Sequence, residues 1–182
     1  NAGSISADGR YVAFGSYALN LAPGIVDGNG VAGAAYVHDR QTAETEIVTL
    51  ASDGTPPDNS SGDDGLPVSL SADGRFVAFQ SSATSLVAGD TNGVPDIFVR
   101  DRLNGTTERV SVATGGAQAN SSSVSPAISG DGRFVVFQGN ATNLVVGTDS
   151  NSTYDIFLYD VAADTLKLVS HLPGAPGTTA NS

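Results

Sequence analysis

The chain has 182 residues, with no Cys, Met or Trp, 22 Gly, 8 Pro and 40% hydrophobic residues. Its 8 Lys and Arg against 19 Asp and Glu leave a formal net charge of -11, which repels phosphate-rich partners and argues against nucleic acid and anionic membrane surfaces as ligands. Without cysteine there is no disulfide framework and no thiolate metal site, and no apolar run is long enough for membrane insertion.

Short apolar runs alternate with clusters of Gly, Ser, Asn and Asp, the pattern of many short strands joined by turns. The first phrase to recur is Ser6-Ala7-Asp8-Gly9-Arg10-Tyr11-Val12-Ala13-Phe14. It returns 65 residues on as Ser71-Ala72-Asp73-Gly74-Arg75-Phe76-Val77-Ala78-Phe79, and after a further 58 as Ser129-Gly130-Asp131-Gly132-Arg133-Phe134-Val135-Val136-Phe137. A second segment follows in each copy: Ala34 to Asp39, Asp96 to Asp101 and Asp155 to Asp160. A third comes after it, at Thr45 to Thr49, Thr107 to Ser111 and Thr165 to Ser170. A period of this size marks a repeat architecture.

In the middle copy the reading gives four strands, Pro67 to Leu70, Arg75 to Gln80, Asp96 to Asp101 and Thr107 to Val112, with Asp73-Gly74 and Asn104-Gly105 as hairpin turns. The second and third strands are almost continuously apolar, as strands are when both faces are buried. One such four-stranded sheet cannot bury two faces alone, whereas sheets stacked radially bury them against each other. The predicted fold is therefore all-β: propeller blades of four antiparallel strands, with blade 1 over residues 1–66, blade 2 over 67–125 and blade 3 over 126–182. A β-sandwich would need alternating strands and supplies no reason for the period.

The run "SADGRFVAFQS", then a Gly- and Asn-rich loop, then "DIFVRD" and "TTERVSV", resembles the TolB-like, WD-repeat-like β-propeller family, in three copies covering essentially the whole chain. The first copy departs most, with Ala34 in place of Asp and a long insert around Asp58 to Gly65. The resemblance implies a six-bladed whole, of which this chain is half. Three blades are too few to close, so the ring is completed by a second copy in a homodimer or by the rest of a longer propeller chain. It also implies a non-catalytic module whose rim loops bind or scaffold a protein partner. Two alternatives stand beside it: a carbohydrate-binding propeller taking a glycan, and the propeller portion of a larger hydrolase or peptidase.

The loop between the second and third strands carries the chemistry. It reads Asp90-Thr91-Asn92-Gly93-Val94-Pro95-Asp96 in the middle copy and Asp149-Ser150-Asn151-Ser152-Thr153-Tyr154-Asp155 in the last, so D-x-N-x-x-x-D recurs unchanged. Ca2+ takes six to eight oxygens, and the predicted ligands are the side chains of Asp90, Asn92 and Asp96 with the Val94 carbonyl, then Asp149, Asn151 and Asp155 with the Thr153 carbonyl. Two carboxylates in one short loop repel each other unless a cation intervenes. The competing reading is that Asp and Asn close turns on their own backbone. An EF-hand is rejected, because Pro95 stands where that loop needs Gly and no Glu closes it. In the first copy, Asp27-Gly28-Asn29 lacks a final carboxylate.

Catalysis finds little support. The only histidines are His38 and His171, and Gly-x-Ser-x-Gly is missing, so the chain is predicted not to be an enzyme. Arg10, Arg75 and Arg133 are expected to make an ion pair or a turn-stabilising hydrogen bond with Asp8, Asp73 and Asp131 at the hairpins, and Asp39, Asp101 and Asp160 to bond backbone or an arginine. Starting at Asn1 and lacking Met, the chain reads as a processed product or a piece of something longer, and an extracellular or periplasmic location is expected.

Overall fold

The computed structural model describes residues 3–18, 20–22, 33–58, 67–145 and 153–171. They form twelve strands: β1 (Ser4–Ile5), β2 (Tyr11–Ser16), β3 (Ala34–Asp39), β4 (Glu44–Ile47), β5 (Val68–Leu70), β6 (Phe76–Ser81), β7 (Asp96–Asp101), β8 (Thr106–Arg109), β9 (Ser123–Ile128), β10 (Phe134–Gly139), β11 (Asp155–Asp160) and β12 (Thr165–Leu168). They make three antiparallel meanders of four strands, β1 to β4, β5 to β8 and β9 to β12. No described residue is helical. The first strand of each later sheet packs on the sheet before it, β5 on β1 and β2, and β9 on β5, β6 and β7. This is the stacking of propeller blades.

Hydrophobic burial explains why the sheets adopt this stack. Ala13, Ala35, Val37 and Val48 of the first blade meet Val77, Phe79, Leu86 and Phe98 of the second in one core. Ala78, Ile97, Val99 and Val110 then meet Phe137, Leu144, Phe157 and Leu168 of the third in another. In each blade an aromatic pair from the second and third strands stacks with centroids 5.6 to 5.8 Å apart: Phe14 with Tyr36, Phe79 with Phe98, and Phe137 with Phe157.

The Ser-x-Asp-Gly-Arg phrase builds the hairpin of each blade. Ser71 Oγ donates to Asp73 Oδ1 and accepts from the Phe76 amide, while Asp73 Oδ1 accepts from the Arg75 amide. The turn leaves Gly74 at φ 75°, in the left-handed region that a Cβ disfavours. Asp8 and Asp131 repeat the backbone bond to Arg10 and Arg133. The expected turn hydrogen bond is made by the arginine backbone amides and not by an ion pair, and the side chains supply the arginine expected on Asp39, Asp101 and Asp160. Arg10 pairs with Asp39, Arg75 with Asp101 and Arg133 with Asp160, at 2.6, 2.6 and 2.8 Å. The reason is register: Phe76 lies opposite Asp101 across the β6–β7 ladder, so a side chain at 75 reaches the far end of the third strand.

β9 begins at Ser123, before the boundary expected at residue 126. The register of β9 on β10 shifts between Val136 and Gln138, and Ser125 sits at φ 57°. A bulge there accommodates Pro126, which has no amide hydrogen for the ladder.

Candidate metal centre

In the second blade the loop from β6 to β7 turns inward, leaving Asp90 8% and Asp96 0% exposed. Asn92 Nδ2 donates to Asp96 Oδ2 at 2.9 Å and to the Ala119 carbonyl at 3.0 Å. Asn92 Oδ1 accepts from the Val94 amide at 3.3 Å, a turn of the kind the competing reading predicts. The structure thus brings Asp90, Asn92 and Asp96 together and places Val94 beside them. Between the carboxylates lies Arg109, which the sequence reading did not single out. Its Nη1 is 3.0 Å from Asp90 Oδ1 and 3.5 Å from Asp96 Oδ2. The signal for it was the Asn104-Gly105 hairpin, which sets Arg109 opposite Phe98 and so two residues from Asp96 across the ladder.

Ser111 completes the arrangement by accepting from the Ile97 amide at 3.0 Å and donating to Asp96 Oδ1. The set is not saturated. Asp90 Oδ1 lies close to the guanidinium but off any hydrogen-bond axis, and both it and Arg109 Nε are buried without a hydrogen-bond partner. Burial pushes the carboxyls of Asp90 and Asp96 up, against the downward pull of Arg109.

The three blades differ at these positions in a correlated way. Where the second has Asp96 and Arg109, the first has Ala34 and Ile47, and the third has Asp155 and Leu168. Thr49, the counterpart of Ser111, is fully buried with an unpartnered Oγ1, because Ala34 gives it no carboxylate to bind. In the third blade Ser170 Oγ donates to Asp155 Oδ1 at 2.6 Å and accepts from the Ile156 amide at 3.0 Å. Among the described residues Asp155 Oδ2 is buried with no hydrogen-bond partner, and Leu168 stands where the second blade supplies a guanidinium. Asp149 and Asn151 lie outside the described residues, as do Asp27, Gly28 and Asn29; Thr153 is exposed. Among the described residues no three His, Cys, Asp or Glu side chains gather as a metal cluster.

His38 Nδ1 is 2.9 Å from Thr45 Oγ1 on the neighbouring strand, and the His171 amide bonds the Val169 carbonyl.

The carboxylates divide into two titrating sets. Hydrogen bonds from Arg10, Arg75 and Arg133 hold Asp39, Asp101 and Asp160 below the ordinary carboxylate value, whereas burial holds Asp90 and Asp96 above it. Stability contributed by the depressed set is present above the unfolded value and lost as pH falls through the folded values; the raised set costs stability once ionised. Urea titrations should therefore show stability rising as pH drops from neutral, then falling below about pH 4. Asp101→Asn should weaken the acid limb and Asp96→Asn the other, and a profile unaltered by both would contradict the assignment.

No protein-family model matches the chain, and no curated protein matches it in sequence. Solved structures match it in fold. The protein assigned as TolB in Agrobacterium tumefaciens superposes with a TM-score of 0.52 at 16% identity, over 92% of this chain and 49% of that one. The β-propeller domain of the Trilobed protease of Pyrococcus furiosus gives 0.53 at 11% identity, over 91% and 40%. An acylaminoacyl peptidase in complex with a chloromethyl ketone gives 0.51 at 12% identity, over 91% and 24%. The chain spans about half the length of the TolB structure and less of the other two. Three stacked four-stranded meanders, matched over about nine-tenths of this chain by these structures, give the chain the fold of a TolB-like β-propeller.

Proposed function

We propose that this chain is a non-catalytic, calcium-stabilised propeller module that acts outside the cytoplasm and offers its rim to a protein partner. The observation that carries the calcium reading is Asp155. Its Oδ2 is buried and has no hydrogen-bond partner among the described residues, and the position that holds Arg109 in the second blade is Leu168 in the third. A buried carboxylate without a counter-charge is expensive, and the sequence brings Asp149, Asn151 and Thr153 in the same loop. A hard cation bound by these oxygens and Asp155 supplies the missing charge. In the second blade the set of Asp90, Asn92, Val94 and Asp96 binds calcium only if the cation displaces Arg109, so the third blade is the stronger site.

The partner surface is the rim formed by the loops between second and third strands, because antiparallel meanders place these loops at one end. Tyr17 and Tyr154 stand there 56% and 52% exposed. Large aromatic side chains on a polar rim suit protein recognition. The same tyrosines favour the glycan reading, since their rings can stack on sugars. The peptidase propellers among the structural matches favour a propeller portion of a larger hydrolase.

Thermal melts in calcium and in chelator test the central claim. With calcium about 100-fold above its dissociation constant the site adds about 2.7 kcal/mol, an upward shift in Tm of about 5–10 °C at this size. Asp155→Asn should abolish the shift, and identical melts of the parent chain in both buffers overturn the reading. A glycan array separates the sugar alternative from protein binding.

A further inference from the structure

A groove runs along each of the two junctions between blades, bounded by the edge strand of one blade and the third strand of the next. At the first junction it is lined by Glu46 on β4, Arg100 on β7 and Arg102 just past β7. Both guanidiniums are engaged there. Arg100 Nη1 donates to the Ala51 carbonyl at 3.2 Å and to Thr107 Oγ1 at 3.0 Å. Arg102 pairs with Glu46, donates to the Gly74 carbonyl and lies 4.6 Å from the centroid of the Tyr11 ring. One guanidinium is thus held by a carboxylate, a backbone carbonyl and an aromatic ring.

The second junction repeats the holder and omits what is held. Glu108, the Gly132 carbonyl and the Phe76 ring stand at the positions of Glu46, the Gly74 carbonyl and the Tyr11 ring, whereas Arg100 and Arg102 are replaced by Tyr159 and Val161. The groove is correspondingly larger, about 420 Å³ against about 210 Å³. Asp164, at the place of Gly105 in the turn before the fourth strand, adds a second carboxylate, whose Oδ1 accepts from the Tyr159 hydroxyl at 2.6 Å. The Glu108 side chain makes no ion pair with a described residue. Partial desolvation by the groove walls, and then the charge of Asp164, push its carboxyl above the ordinary value.

The chain has no lysine or arginine left to fill this place, since all eight lie among the described residues. Arg10, Arg75 and Arg133 pair with third-strand aspartates, and Arg109 is committed to Asp90 and Asp96. Arg100 and Arg102 occupy the first groove, and Arg40 donates to the Gly9 carbonyl. Lys167 lies opposite Leu158. Phe157 and Tyr159 face the second blade, so Leu158 and Lys167 face away from it.

We propose that an arginine side chain of a partner protein docks in the groove of the second junction, its guanidinium on Glu108, the Gly132 carbonyl and the Phe76 ring as that of Arg102 is on their counterparts. Asp164 adds a second negative charge beside it. A planar guanidinium can bond two acceptors while lying on a ring, which a lysine ammonium does less well. A net charge of -11 draws a basic partner toward the chain. Docking here presupposes the protein partner of the proposed function, but neither calcium nor the rim tyrosines.

The test is a nuclear magnetic resonance titration of the full chain with a blocked glycine-arginine-glycine peptide, read at the side-chain carboxyl carbon of Glu108. The resonance should shift with a dissociation constant in the millimolar range, and its pH midpoint should fall. The lysine peptide should bind several-fold more weakly, and the citrulline peptide, of the same shape without the charge, should not bind. Glu108→Gln should weaken the arginine peptide about tenfold or more. Val161→Arg returns a guanidinium within the chain, so it should exclude the peptide and raise Tm by about 2–4 °C. Chelator and Tyr154→Ala should leave the peptide affinity unchanged, which separates this groove from the calcium loops and from the rim. Absence of binding at tens of millimolar peptide, equal binding of the citrulline peptide, or parent affinity in Glu108→Gln and Val161→Arg overturns the proposal.

Discussion

Arg109→Leu should cost about 3–5 kcal/mol, the penalty for removing one partner of a buried ion pair, and should do so with little change in any exposed contact. The substitution leaves Asp90 and Asp96, 8% and 0% exposed, facing each other without a counter-charge. It also reproduces in the second blade the pairing that the third blade already has, an aspartate at the start of the third strand and leucine on the fourth. Added calcium should then restore much of the loss, because the D-x-N-x-x-x-D loop and Ser111 remain in place. Asp96→Ala with Arg109→Ile, which copies the first blade's Ala34 and Ile47, should cost less than Arg109→Leu alone. Urea titrations of the two variants and the parent chain with and without calcium read these differences. A loss below about 1 kcal/mol for Arg109→Leu would mean that water reaches the carboxylates and the pair behaves as an exposed one.

The strands were legible because the blade is written three times. Asp73-Gly74 and Asn104-Gly105 marked the two hairpins of the middle copy, and the observed strands of the second blade differ from the expected ones mainly by a residue or a few at their ends. Side-chain pairing across the ladders was much less legible. Arg75 is two residues from Asp73 in sequence, yet its guanidinium lies on Asp101, because the ladder places Phe76 opposite Asp101. Arg109 escaped notice for the same reason, being thirteen residues from Asp96 along the chain and beside it across the sheet. The apolar runs of the second and third strands predicted burial on both faces. That holds along β6 and β7, whereas β10 and β11 alternate between buried residues and half-buried or exposed ones. Their sequences are as apolar as those of the second blade; what differs is that no described sheet follows them.

Gly74→Ala should cost about 2–4 kcal/mol, combining a left-handed backbone with an overpacked contact. Gly9→Ala, at the same place in the first blade's turn and at φ 70° against 75°, should cost about 1–2 kcal/mol, the conformational part alone. The difference arises from Tyr11, whose ring carbons would stand 2.2 to 3.0 Å from a Cβ at residue 74. The ring cannot retreat easily, since the guanidinium of Arg10 lies 4.7 Å from its centroid and that of Arg102 lies 4.6 Å from it. Arg102 is in turn tied to Glu46 and to the Gly74 carbonyl. In a Tyr11→Ala background the penalty for Gly74→Ala should fall to that of Gly9→Ala, and denaturant titrations measure all four. Equal penalties at the two glycines would show that the ring gives way, and the hairpin would then contribute a turn to its own blade and nothing to the junction with the next.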